Sequence, residues 1–85
     1  MALKMYEASE KDKKNIENNF TYHTPIHELG QPEKYETIRR EAKKFAELLV
    51  TLCPPSRELS VALTELETSV FWANAAIARN ETADK

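Results

Sequence analysis

The sequence predicts an all-α protein: an antiparallel two-helix hairpin, preceded by a short N-terminal helix and an arm, and assembled into a helical homo-oligomer. Three observations lead there. Runs rich in Glu, Lys, Ala and Leu, with one glycine and four prolines in 85 residues, favour helix over sheet. Apolar residues recur at helical spacing in two stretches of similar length, split by one proline turn. Those stretches also carry more apolar surface than a pair of helices can cover, which calls for further copies.

Residues 1–19 are polar and charged, and Ser9 or Glu10 can open a short helix through Asn18. Residues 20–31 form an irregular arm, bounded by Thr24-Pro25 and by Gly30-Gln31-Pro32, with Pro32 suited to the first position of a helix. The hairpin occupies 32–80, with helices at about 32–53 and 55–79, and 81–85 form a tail. In its first helix Tyr35, Ile38, Ala42, Phe45, Leu49 and Leu52 are separated by 3, 4, 3, 4 and 3 residues. In its second, Leu59, Leu63, Leu66, Val70, Ala73 and Ile77 follow at 4, 3, 4, 3 and 4. Helices of this kind joined by Cys53-Pro54-Pro55-Ser56 lie antiparallel, seam against seam.

Around the second helix, Ala62, Ser69 and Ala76 make a stripe of small residues, and Val61, Phe71, Trp72 and Ala75 occupy the far side. Small residues seven apart let a neighbouring helix come close. Val61, Phe71, Trp72 and Ala76 are therefore the candidate oligomer contacts; the competing reading covers this face with the N-terminal segment alone.

Composition excludes several roles. A formal net charge of −2 supplies no basic field to hold a nucleic-acid polymer, although a small anion stays within reach. No apolar run approaches the roughly 18 residues of a membrane span, and the first residues lack a signal-peptide core, so neither export nor insertion is expected. Cys53, alone, fits a reducing cytoplasm and reads as a small buried hydrophobe.

Few residues carry chemistry. Lys34 and Arg57 lie in the first turns of the two long helices, the end where negative charge is favoured. Either they are solvated charges offset by Glu33, Glu36 and Glu58, or they clamp an anion together with the free N–H groups there. Tyr22 offers a ring on which a planar base can stack; alternatively Phe20 and Tyr22 plug the open face of the hairpin. His23 and His27 are four apart, but Pro25 between them argues against a helical metal pair. No histidine neighbours Ser56, Ser60 or Ser69 in sequence, and the glutamates share charged faces with Arg40, Lys43 and Lys44. No enzyme activity, metal or cofactor is expected. Asn74, in FWANAAIARN, either bonds helix to helix across the seam or meets a ligand.

The stretch CPPSRELSVALTELETSVFWANAAIARN, preceded by YETIRREAKKFAELL, resembles the phage anti-CBASS cyclic-nucleotide sponges, whose hairpin is shared with the Thoeris anti-defence sponges. The resemblance covers about residues 20–80 and rests on the Cys-Pro-Pro-Ser-Arg-Glu turn together with the Trp72–Ala78 run. It implies an immune-evasion protein of the host bacterial cytoplasm that sequesters cyclic di- and trinucleotides, such as 3′,3′-cGAMP, without cleaving them. It further implies a homohexamer, with dinucleotide pockets between pairs of protomers and trinucleotide pockets shared by three. Two stacked trimers provide the matching two-fold and three-fold axes.

Carried over residue by residue, the resemblance gives Tyr22 and His23 to the dinucleotide pocket, with Tyr22 stacking on a base and Lys34 meeting phosphate. Thr21 and Thr24 are grouped with them, and either can assist Arg57, the candidate for the trinucleotide pocket. His27 receives no role. The alternatives are a phosphodiesterase, for which metal ligands and a general base are lacking, and a structural adaptor that binds a protein partner through its apolar face.

Overall fold

The computed structural model describes residues 2–82; residue 1 and residues 83–85, with most of the expected tail at 81–85, lie outside the described residues. These residues form helices and connecting turns, with no strand among them. The first helix, α1, spans Glu10–Asn19. Ser9 caps it, its Oγ accepting a hydrogen bond from the Asp12 N–H at 3.0 Å, while Glu10 and Asp12 set negative charge in the first turn. No α1 side chain is buried. One tie to the hairpin comes from Asn18, whose Nδ2 donates to the Arg79 carbonyl at 3.1 Å.

The arm is irregular as far as Ile26, then closes into a single 3₁₀ turn at His27–Leu29 that the sequence reading did not anticipate. Gly30 ends this turn at φ 68°, donating its N–H to the His27 carbonyl at 2.9 Å. A side chain is strained at that backbone angle, which accounts for the placement of the chain's one glycine.

The second helix, α2 (Gln31–Leu52), starts directly after Gly30 with proline in its first turn. The third, α3 (Arg57–Asn80), starts later than position 55, because Ser56 is extended and its Oγ accepts from the Leu59 N–H at 3.1 Å. That cap fixes the first turn at Arg57 and leaves both prolines in the connection. Cys53 sits half-buried at the entry to this turn, not enclosed in a core.

α2 and α3 pack along a groove walled by Ala42 and Ala46 on one side and by Leu63, Leu66 and Val70 on the other. The residues counted into the seam are mostly half-buried, but Phe45 and Leu52 stand 50% and 71% exposed. A straight α-helix drifts by about 20° per heptad against a strict three-four series, so such a series rotates away from its partner. Ala46 is half-buried where Phe45 is not.

Among the described residues no hydrophobic side chain is fully buried, while Phe71 and Trp72 are 69% and 64% exposed. The radius of gyration, 18.3 Å, exceeds the roughly 12 Å of a compact chain of this size. Packing within one chain therefore leaves large apolar side chains such as Phe71 and Trp72 in contact with water.

Among the described residues the one that is buried is polar. Gln31 is 2% exposed; its Oε1 accepts from the Ile26 N–H at 2.8 Å and its Nε2 donates to the Glu81 carbonyl at 2.8 Å. It thus fastens the arm and the start of α2 to the end of α3. Removing it strands a donor and an acceptor at a junction sheltered from water, at about 1 to 3 kcal/mol for each group left unmade. Gln31→Ala is expected to lower the melting temperature by several degrees and to leave helical content measured by circular dichroism near that of the parent.

Candidate functional site

The C-terminal end of α1 organises the site. His23 Nε2 lies 2.7 Å from the Asn18 carbonyl, a bond that requires the proton on Nε2, and the Asn18 amide in turn donates to Arg79 in α3. The arm is thereby laid across the end of the hairpin. Tyr22, beside this anchor, remains 81% exposed.

Together these elements border an open groove of about 470 Å³, a volume in the range of small-molecule sites. Tyr22 and His23 enter from the arm, Tyr35 and Arg39 from α2, and Asn74 and Arg79 from α3. The remaining wall is small and apolar, from Pro25, Ala75 and Ala78. The groove is lined by two arginines and no acidic residue, whereas four other depressions on the described residues each include a glutamate, Glu67, Glu81, Glu65 or Glu33, and Arg39 also borders the one with Glu67.

The polar groups of this groove are under-used by the chain itself. The Arg79 guanidinium lies over the Trp72 ring, 5.8 Å from its centre, and neither it nor Arg39 has a carboxylate partner among the described residues. Asn74 Oδ1 is enclosed without a donor, and no helix-to-helix hydrogen bond from Asn74 is present among the described residues. Partial burial, and after it the Glu81 carboxylate, push the Tyr35 hydroxyl above its ordinary range, so it stays a protonated donor at neutral pH.

The other sequence-selected residues fall elsewhere. Lys34 lines a separate depression with Thr37, Ile38 and Ile77 and pairs with Glu81. Thr21 gives its hydroxyl proton to the Glu17 carbonyl, one turn back in α1. Thr24 and His27 are exposed, and so is Arg57, which lines a small depression with Val61 and Glu65 at the start of α3. Val61 and Ala76 are exposed along with Phe71 and Trp72. Phe20, at 85% exposure, plugs nothing within the chain.

Sequence reasoning missed Arg39, Arg79 and Tyr35 as groove residues. Tyr35 and Arg39 are four apart and so share a helix face, a usable signal that was lost among the neighbouring charges of α2. Arg79, in the last turn of α3, looks like an ordinary complement to the helix dipole.

The Lys34–Glu81 pair gives the junction a pH dependence. The hydrogen bond from Lys34 holds the Glu81 carboxyl below its usual range against a smaller opposing effect of burial, and Gln31 assists. A carboxyl lowered in the folded state stabilises above its unfolded pKa, near 4.3, and this is lost as pH falls through the folded value. Melting temperature is therefore expected to fall between pH 6 and pH 3 more in the parent than in Glu81→Gln.

Two long helices packed on one another, with an arm that brings an exposed tyrosine beside a groove lined by two arginines, define a small helical-hairpin module. The chain belongs to the Acb2/Tad1 hairpin-domain family, whose model matches residues 12–78. Membership suggests an anti-defence sponge for cyclic-nucleotide signals and not a catalyst. No curated protein and no solved structure matches the chain. None of the described helices is long and apolar enough to cross a membrane.

Proposed function

We propose that this chain is a phage immune-evasion protein that binds cyclic di- and trinucleotide messengers, 3′,3′-cGAMP among them, and sequesters them uncleaved, depriving the CBASS effector of its signal. The observation that carries this reading is the groove at the arm, where Tyr22 stands beside two unpaired arginines with no acid in the wall. A nucleotide ring needs that combination: an aromatic face for a base and cations for phosphates. Among the described residues no group of three or more His, Cys, Asp or Glu side chains is placed to hold a metal ion.

In the proposed assembly, antiparallel hairpins (residues 32–80) associate through Val61, Phe71, Trp72 and Ala76 as a homohexamer in the host bacterial cytoplasm. The polar segment 1–19 and the arm 20–31 flank the dinucleotide pockets. Tyr22 stacks on a base and His23 pins the arm beside it, with Thr21 and Thr24 as flanking contacts. Lys34, outside this groove on its own chain, reaches phosphate across an interface. Arg57 serves a trinucleotide pocket on the three-fold axis. Exposed Phe71 and Trp72 also suit an adaptor that binds a protein partner, so the deciding experiment must report on small ligands. Titration calorimetry against a panel of cyclic di- and trinucleotides is expected to show binding, and chromatography after denaturation to return the ligand intact. No heat across the panel would leave the adaptor, and linear product would indicate a phosphodiesterase.

A further inference from the structure

We infer that Arg39 and Arg79 hold the phosphodiester groups of the bound ring, an inference that rests on the nucleotide-binding reading of the groove. Both arginines line the depression that contains Tyr22, and neither has a carboxylate partner among the described residues. Arg40 and Lys44, nearby on α2, are instead drawn to Glu41, and Lys34 is drawn to Glu81. The arginines thus supply the uncompensated positive charge of this groove.

Their chemistry suits an anion better than water alone. A guanidinium presents parallel N–H donors that match two oxygens of a phosphate, which an ammonium does not. The guanidinium carbon of Arg79 lies 5.8 Å from the centre of the Trp72 ring, a cation–π contact that steadies the side chain without pairing it to an acid. Arg39 projects from the helix opposite, one turn beyond Tyr35. An anion seated between α2 and α3 therefore meets one arginine from each. Asn74 lines the same wall, and its Oδ1, enclosed by the chain, has no donor among the described residues. The ligand class that suits both arginines, with Tyr22 in the same groove to stack on a base, is an anionic, phosphodiester-linked nucleotide.

The test is calorimetric titration of the full chain with 3′,3′-cGAMP, with single-subunit and assembled species resolved by sedimentation for every variant. Arg39→Gln and Arg79→Gln are each expected to weaken binding at least tenfold, and together at least a hundredfold, without changing the assembly. Arg39→Lys is expected to recover only part of the loss, because charge returns without the fork. Added salt is expected to weaken the parent more steeply than the double variant. If the parent binds and the double variant binds as tightly, with the same salt dependence, the arginine assignment fails while the nucleotide reading survives. If the parent binds no cyclic nucleotide, both fail.

Discussion

Phe71→Asp is expected to break the proposed assembly into single subunits. Phe71 is 69% exposed on the isolated chain and Trp72, beside it, 64%. Burying a large apolar side chain is worth about 1.5 to 3 kcal/mol, and a carboxylate placed in the same contact adds the cost of stripping its water. In an interface between copies the change is made on both sides, so a loss on the order of 4 kcal/mol, or a thousandfold in association, is the expected scale. Because no apolar side chain is fully buried among the described residues, subunits released in this way are expected to melt well below the assembly. Size-exclusion chromatography with thermal denaturation reads both effects. A Phe71→Asp protein that elutes and melts like the parent would remove this face from the interface.

Tyr22→Ala is expected to abolish most dinucleotide capture while the assembly stays intact. The ring is 81% exposed, so its removal opens no cavity and costs little stability. Stacking of a base on an aromatic side chain is worth about 1 to 3 kcal/mol, roughly thirtyfold at the midpoint. A pocket shared by two copies loses both stacks, which raises the expected loss toward a thousandfold. Arg57→Ala is the control with the opposite selectivity: far from this groove, in the depression at the start of α3, it is expected to weaken trinucleotide capture and spare dinucleotides. Calorimetry with one ligand of each class separates the two sites. Equal losses of both ligands in both variants would contradict the assignment.

The helices were legible because their signals are local. Ser9 offers a cap to α1, Pro32 fits a first turn, and the three-four spacing marks which side of each long helix is apolar, although the expected start at position 55 misses the Ser56 cap that begins α3 at Arg57. The finer features were not, because they depend on where distant residues meet. Gln31 reads as an unremarkable polar residue until its amide is seen between Ile26 and Glu81, 50 positions apart from the latter. Arg39 and Arg79 become one site only when α2 and α3 lie together; Lys34, attractive at a helix start, is drawn off by a glutamate beyond the end of α3. Phe20 shows the reverse limit: its hydrophobicity suggested a plug, yet on one chain there is no enclosed apolar space for it to fill.

A pocket that traps a ring of two or three nucleotides between copies requires the copies to be joined first. Sedimentation equilibrium at micromolar concentration tests this directly. The expected result is a stable particle of six subunits, each 9.8 kDa; a folded, soluble single subunit at that concentration would contradict it.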